Sequence, residues 1–119
     1  ESPFSWWALF DKKSNNFIGG IGSFFDQDLS SIEISYCLAP SAENQGYMTE
    51  ALQEGFISYV KKSVQENNLS CKSIHATIDP ENTRSIKLAT RIGMWHDTSK
   101  DYHSDSYNRP RHWYIVNLL

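Results

Sequence analysis

Cysteine is scarce here, with two among 119 residues. Cys37 and Cys71 have no Cys-x-x-Cys spacing and no second pair to complete a metal site. Both are expected as small buried thiols, because free cysteine packs as a hydrophobe. The four histidines, at positions 75, 96, 103 and 112, include no pair at helical spacing, so no zinc site and no other metal is expected. Nowhere do about 18 apolar residues run together, which excludes a membrane-spanning helix. Positive charge is short as well. Eleven Lys and Arg against 14 Asp and Glu leave a net charge of -3, so there is no basic footprint for nucleic acid and no attraction to an anionic membrane. The opening Glu-Ser-Pro-Phe-Ser-Trp-Trp has no basic n-region, and a cytoplasmic protein is the expectation.

What is present is an ordinary globular balance, 39% hydrophobic and 21% charged, on a length that suits one domain over residues 1–119. Trp6 to Phe10 and Phe17 to Phe25 read as a hairpin closed by the polar turn 11–16. Gly19, Gly20 and Gly22 inside the second strand predict a bulge or a close backbone neighbour. Ile32, Ile34, Tyr36 and Leu38 alternate with Glu33, Ser35 and Cys37, a half-buried third strand that stops at Pro40. From Gly46 the period changes. Met48, Ala51, Leu52, Gly55, Phe56, Tyr59 and Val60 recur at steps of three and four, which predicts a helix with one apolar face to about Glu66. Ser73 to Ile78 is a strand ending at Asp79-Pro80. Asn82 or Thr83 caps a second helix, with Ile86, Leu88, Ala89 and Ile92 inward and Gly93 at its end. Met94 to His96 and His112 to Val116 are the last strands, joined by a polar loop carrying Asp101 and Asp105. The order β-β-β-α-β-α-β-β predicts an α+β fold, a mixed, mostly antiparallel sheet with helices packed on it.

The junction at residues 40–48 carries the chemistry. A strand ends, a short polar loop follows, and Gly46 opens a helix whose first N–H groups are free, with the positive end of the helix dipole behind them. Phosphate groups suit such a place, and an anion held by main-chain amides needs a residue of little bulk at closest approach. Gly46 meets that need, though it serves equally as a flexible junction.

Four segments, taken in order, resemble the GNAT-type N-acetyltransferases, and within them the RimJ/RimL-like branch. Glu33-Ile-Ser-Tyr36 resembles the E-I-G-Y strand of that branch. Asn44-Gln-Gly-Tyr-Met-Thr-Glu-Ala51 resembles its G-Q-G-Y-A-T-E-A loop and helix start. Ala76-Thr-Ile-Asp-Pro-Glu-Asn82 resembles A-x-x-x-x-x-N, and Asn82-Thr-Arg-Ser-Ile86 with Ile92-Gly-Met94 resembles N-x-x-S-I followed by L-G-F. The resemblance implies acetyl-CoA as cosubstrate and a primary amine as acceptor, such as a protein N-terminus, a polyamine or an aminoglycoside. The pyrophosphate would lie on the amides of Glu43, Asn44, Gln45, Gly46, Tyr47 and Met48. The pantetheine arm would pair with the backbone of Tyr36, Cys37 and Leu38 where the third and fourth strands splay, and Asn82 would contact its far end. Glu33 is implied as the general base and Ser85 as a proton relay. Read from the residues alone, Glu33 is equally a polar residue on an exposed face, Ser85 a small residue that lets a helix pack, and Asn82 a helix cap.

The chain also departs from the family pattern. Glu43 stands where many members have Gln or Arg, Asn44 where Gly is common, Met48 where Gly or Ala is common, and Ala89 where many have a Tyr acid. A strand and two helices that precede the hairpin in the family, and wall the acceptor cleft, have no counterpart. The domain is therefore expected to be N-terminally incomplete, with Trp6, Trp7, Phe24 and Phe25 as the surface left uncovered and a homodimer as one way to cover it. A non-catalytic CoA-binding or dimerisation module derived from the fold is the alternative. Asp101, Asp105 and Glu33 would draw a cationic acceptor, or else be solvated.

Overall fold

Strands and helices alternate as the apolar spacing demands, and the computed structural model describes residues 4–43, 45–67 and 70–118. The strands are β1 (Phe4–Phe10), β2 (Phe17–Asp26), β3 (Ser31–Leu38), β4 (Ser73–Ile78), β5 (Trp95–His96), β6 (Tyr102–Ser104) and β7 (Arg109–Asn117). They form one sheet in the order β1-β2-β3-β4-β7-β5, with β6 paired to β7. Every pairing is antiparallel except β3 with β4, because only that pair is joined by a helical crossover. This is the mixed, mostly antiparallel α+β architecture that the element order predicts. The loop between the last two predicted strands contains one strand more, β6, whose three residues are too few to show an alternation.

The crossover helix begins as α1 (Tyr47–Glu50), widens into a π-helical segment (Ala51–Ile57) and continues as α2 (Ser58–Asn67). The extra residue in the wider turns brings the adjacent side chains Phe56 and Ile57 both into the core. The other helix is α3 (Thr83–Arg91). Leu52, Phe56, Val60, Ala89 and Ile92 from the helices meet Ile21, Ile34, Ile74, Ala76 and Ile78 from the strands in one buried cluster. Since Ile32, Ile34, Tyr36 and Leu38 of β3 all point there, both helices cover the same face of the sheet. Among the described residues no helix is long and apolar enough to cross a membrane.

The opposite face carries Glu33, Ser35 and Cys37, and both helices lie on the other side of the sheet. Trp6 lies on this side over Gly20 and Gly22; a Cβ added at Gly20 would fall 2.2 Å from its ring. At Gly20 and Gly22 the close neighbour is thus a side chain. At Gly19 it is backbone, a Cβ there falling 2.2 Å from the Cys37 carbonyl oxygen, and the β1–β2 register shifts beside it between Leu9 and Phe10. Trp6 and Phe24 are exposed, whereas Trp7 and Phe25 turn inward and pack on the core. Only half of the expected aromatic surface is therefore uncovered, because alternate strand residues face opposite ways. Cys71 is buried but Cys37 is exposed, which corrects the expectation for Cys37: its side chain follows Glu33 and Ser35 to the open face.

Candidate functional site

Parallel pairing of β3 with β4 joins Ser31, Ile32 and Glu33 to Ser73, Ile74 and His75, yet β3 runs on to Leu38 and β4 to Ile78. Past Glu33 the two strands part. Residues 34–38 and 76–78 face each other across a gap, and an extended ligand with amide groups would find unladdered backbone there. A cavity of about 300 Å³ lies against this gap, between β3 and the starts of α1 and α3.

Tyr36, Cys37 and Leu38 line it from β3, and Glu43, Gly46, Tyr47 and Met48 from the loop and helix start. Gly46 has φ 77° and ψ 4°, left-handed backbone that glycine adopts without strain. A Cβ there would meet nothing within 4 Å, so the conformation and not crowding by the chain calls for glycine. Met48 is 3% exposed and fills the core, forming the cavity floor. Gln45 is outside the lining; its side-chain amide donates to the Ser41 carbonyl at 2.9 Å. Asn44 lies outside the described residues. The Tyr47 hydroxyl donates to Asp11 Oδ2 at 2.9 Å, tying the helix start to the first hairpin turn.

The far wall belongs to α3. Asn82 caps it, its Oδ1 accepting the Ser85 N–H at 3.2 Å, a cap that contributes about 1 kcal/mol to a helix. Ser85 Oγ lies 2.8 Å from the Tyr36 hydroxyl. Burial pushes the Tyr36 phenol up, against a smaller opposing effect of Ser85, so the phenol keeps its proton at neutral pH. Arg84, Lys87 and Arg91 line the same wall. Arg84 pairs with Glu43, which neutralises the carboxylate that stands where the family has Gln or Arg. Three cations against one carboxylate suit a ligand with several phosphates. These cations were readable as one helix face from their spacing of three and four residues, a signal the motif comparison does not use. Ala89 is fully buried under this wall.

Glu33 sits at the last paired rung, on the open face, with its side chain 49% exposed. Its Oε1 is 3.3 Å from Nε2 of His75. His75 is 1% exposed, stacked on Trp113 with ring centroids 4.1 Å apart and planes within 8°. Its Nδ1 is 2.6 Å from Ser31 Oγ, which in turn accepts from Ser73 Oγ at 2.8 Å. Nothing in the alternation of β4 distinguishes this histidine, because the parallel register that sets it beside Glu33 is tertiary.

A second cluster forms where β5, β6 and β7 meet. His96 Nε2 lies 2.8 Å and His112 Nε2 3.8 Å from Asp101 Oδ2, and Asp101 Oδ1 accepts the Trp113 N–H at 2.8 Å. Burial works to raise the Asp101 carboxyl, but the Trp113 amide and the two histidines outweigh it and hold it below the usual range. Asp101 is thus engaged by the fold rather than free for a cationic acceptor. The sequence offered no sign of this triad, which is spread over separate elements. The two imidazole rings stack at 4.6 Å with planes 21° apart, and one ligand atom from each of His96, Asp101 and His112 lies within 4.8 Å of the others. Within it His96 is hydrogen-bonded to Asp101, while His112 stands in ion-pair range only.

A family model described as acetyltransferase (GNAT) domain matches residues 1–95. The protein named uncharacterized N-acetyltransferase p20, from Bacillus licheniformis, is 31% identical over 88 residues, which is 73% of this chain and 46% of that protein. The chain therefore spans about half the length of that relative. A GNAT-family acetyltransferase structure from Bacillus anthracis superposes with a TM-score of 0.74 at 23% identity, covering 93% of this chain and 64% of that one. RimL, a ribosomal L7/L12 alpha-N-protein acetyltransferase in complex with coenzyme A, superposes with a TM-score of 0.71 at 17% identity, covering 87% and 56%.

Proposed function

The chain belongs to the acetyltransferase (GNAT) domain family, and from that premise we propose that it transfers an acetyl group from acetyl-CoA to a primary amine, with residues 1–119 forming one GNAT-like domain. One observation carries the proposal. The gap between β3 and β4 opens beside a cavity lined by Tyr36, Cys37, Leu38, Gly46, Asn82 and Ser85, residues that the family motifs nominate independently.

The residues present fit the cosubstrate. Main-chain amides from Glu43 to Met48 would hold the diphosphate at the helix start, with Arg84, Lys87 and Arg91 adding charge. The open backbone of Tyr36, Cys37 and Leu38 would pair with the amide-bearing arm. Asn82, besides its capping role, would contact the end of that arm. Acetyl-CoA supplies an activated acyl group as a thioester; the chain supplies orientation and proton management. Glu33 would take the proton of an ammonium acceptor, directly or through water, from the open face. On the cavity side the Tyr36–Ser85 pair offers a proton, with Ser85 as relay and Tyr36 as its source. The gap lies between these two groups, one on each side of the sheet.

The alternative, a non-catalytic CoA-binding module, draws on Ala89, which is buried where many members carry a tyrosine acid. Two measurements discriminate. Acetyl-CoA raises the melting temperature under both readings, and no shift at millimolar concentration removes both. Thiol release with a panel of amines, abolished by Glu33→Gln, marks the enzyme; binding without turnover marks the module.

A further inference from the structure

Glu33 is half exposed, and one element of its surroundings is built. On the open face β2 presents Phe24 across from it, its own strand presents Ser31 and Ser35, and β7 presents Trp113 beneath His75. Past these stand Lys100, whose Nζ is 5.6 Å from the Trp113 ring centre, and Arg111, which donates to the Thr77 carbonyl at 2.6 Å. Among the described residues His75 is the one titratable group in ion-pair range of Glu33. We infer that His75 is a positioning residue: buried between Trp113 and Ser31, it sets its Nε2 edge beside Glu33 and fixes the direction of that carboxylate.

The hydroxyl chain decides which nitrogen carries the proton. Ser73 Oγ donates to Ser31 Oγ at 2.8 Å, leaving the Ser31 proton free to point elsewhere. Of the acceptors within reach, His75 Nδ1 is at 2.6 Å and the Ser73 carbonyl at 3.2 Å. With Ser31 donating to Nδ1, a neutral imidazole has its hydrogen on Nε2, the nitrogen that lies 3.3 Å from Glu33 Oε1. A doubly protonated ring presents the same Nε2–H. The remaining tautomer would set a lone pair against a carboxylate at 3.3 Å, which is repulsive. The contact is longer than an ideal hydrogen bond, as such contacts are before substrate arrives. A buried ring stacked at 4.1 Å has little freedom to turn, so the direction of the N–H is set by the sheet.

The idea rests on Glu33 as the base for acetyl transfer, but its test does not need turnover. The His75 tautomer is read from its ring nitrogen shifts in the full chain, and the fixing of the Glu33 side chain from its rotamer-dependent NMR couplings. The Nε2–H form and a single dominant Glu33 rotamer are expected in the wild type. His75→Leu, which keeps bulk without a donor, releases Glu33 to average over its rotamers; His75→Gln, which retains an N–H, restores the dominant one. Ser31→Ala leaves the ring buried and lowers the Nε2–H population. If turnover is present, kcat falls in His75→Leu with KM little changed, and His75→Leu adds nothing on a Glu33→Gln background. A Glu33 rotamer distribution unmoved in both His75 variants, or an Nδ1–H tautomer in the wild type, overturns the inference and leaves the acetyltransferase reading intact. Normal coupling with no turnover for any amine sinks that reading and leaves this one standing.

Discussion

The two faces of the sheet solve different problems with the same alternating strands. On the covered face, Ile21, Leu52 and Ile74 are fully buried, and the contacts are apolar and interchangeable in kind. On the open face the buried group is a histidine, bonded to one serine hydroxyl that a second serine holds, stacked on an aromatic ring and set beside a carboxylate. The covered face supplies stability through area removed from water. The open face supplies orientation, and it does so at the rung where β3 and β4 begin to part. The lesson is that the last paired rung joins the two tasks: the core keeps the strands together up to Glu33, and beyond it the backbone is left without a ladder.

Substitutions test this division, starting with the largest effect. Leu52→Ala on the covered face is expected to cost about 2–5 kcal/mol of unfolding free energy, measured by urea denaturation, because it opens a cavity in a packed core. A loss below 1 kcal/mol would mean the covered face is not where stability resides. Gly20→Leu on the open face drives a side chain into the Trp6 ring and is expected to cost about 1–3 kcal/mol. Most of that loss should vanish on a Trp6→Ala background; an undiminished cost there would show that the ring is not the obstacle. Gly46→Leu places a β-carbon on left-handed backbone, at about 1–2 kcal/mol. It is expected to remove the acetyl-CoA thermal shift as well, while a Leu52→Ala protein that still folds keeps its shift.

The smallest effect is electrostatic. Asp79, at the end of β4, accepts from Arg109 at 2.9 and 3.0 Å. Arg109 and then the Glu81 amide hold its carboxyl at about 2, below the ordinary 3.8. A carboxyl depressed on folding stabilises the protein above its unfolded value, and this contribution is lost as pH falls from near 4 toward 2. Arg109→Met should therefore be slightly less stable than the wild type at pH 7, with most of that deficit gone by pH 2. A difference that persists unchanged to pH 2 would assign the effect of Arg109 to packing instead.

Much of the covered face was legible beforehand. Ile32, Ile34, Tyr36 and Leu38 show the period of two, and Leu52, Phe56 and Val60 the helical step, so their shared core followed from hydrophobicity alone. The glycine before α1 and the cap at Asn82 were readable because each follows from a local backbone requirement. The π-helical segment was not, since it is detectable only where Phe56 and Ile57 are both found inside. The exposure of Cys37 ran against its hydrophobic character because strand alternation outranked it. Arg84, Lys87 and Arg91 showed their common face in their spacing, but not that a cavity lay beneath it.

What the amino-acid order determined by itself is local: which segments extend, which coil, where each stops, and which motif belongs to the acetyltransferase pattern. Those outcomes depend on neighbours within a few residues, where sterics and periodicity act. The tertiary structure alone decided that His75 stands beside Glu33, that Glu43 is neutralised by Arg84, and that His96, Asp101 and His112 meet. Each of these contacts joins separate elements, so its geometry comes from strand register and helix docking, and no local preference encodes it.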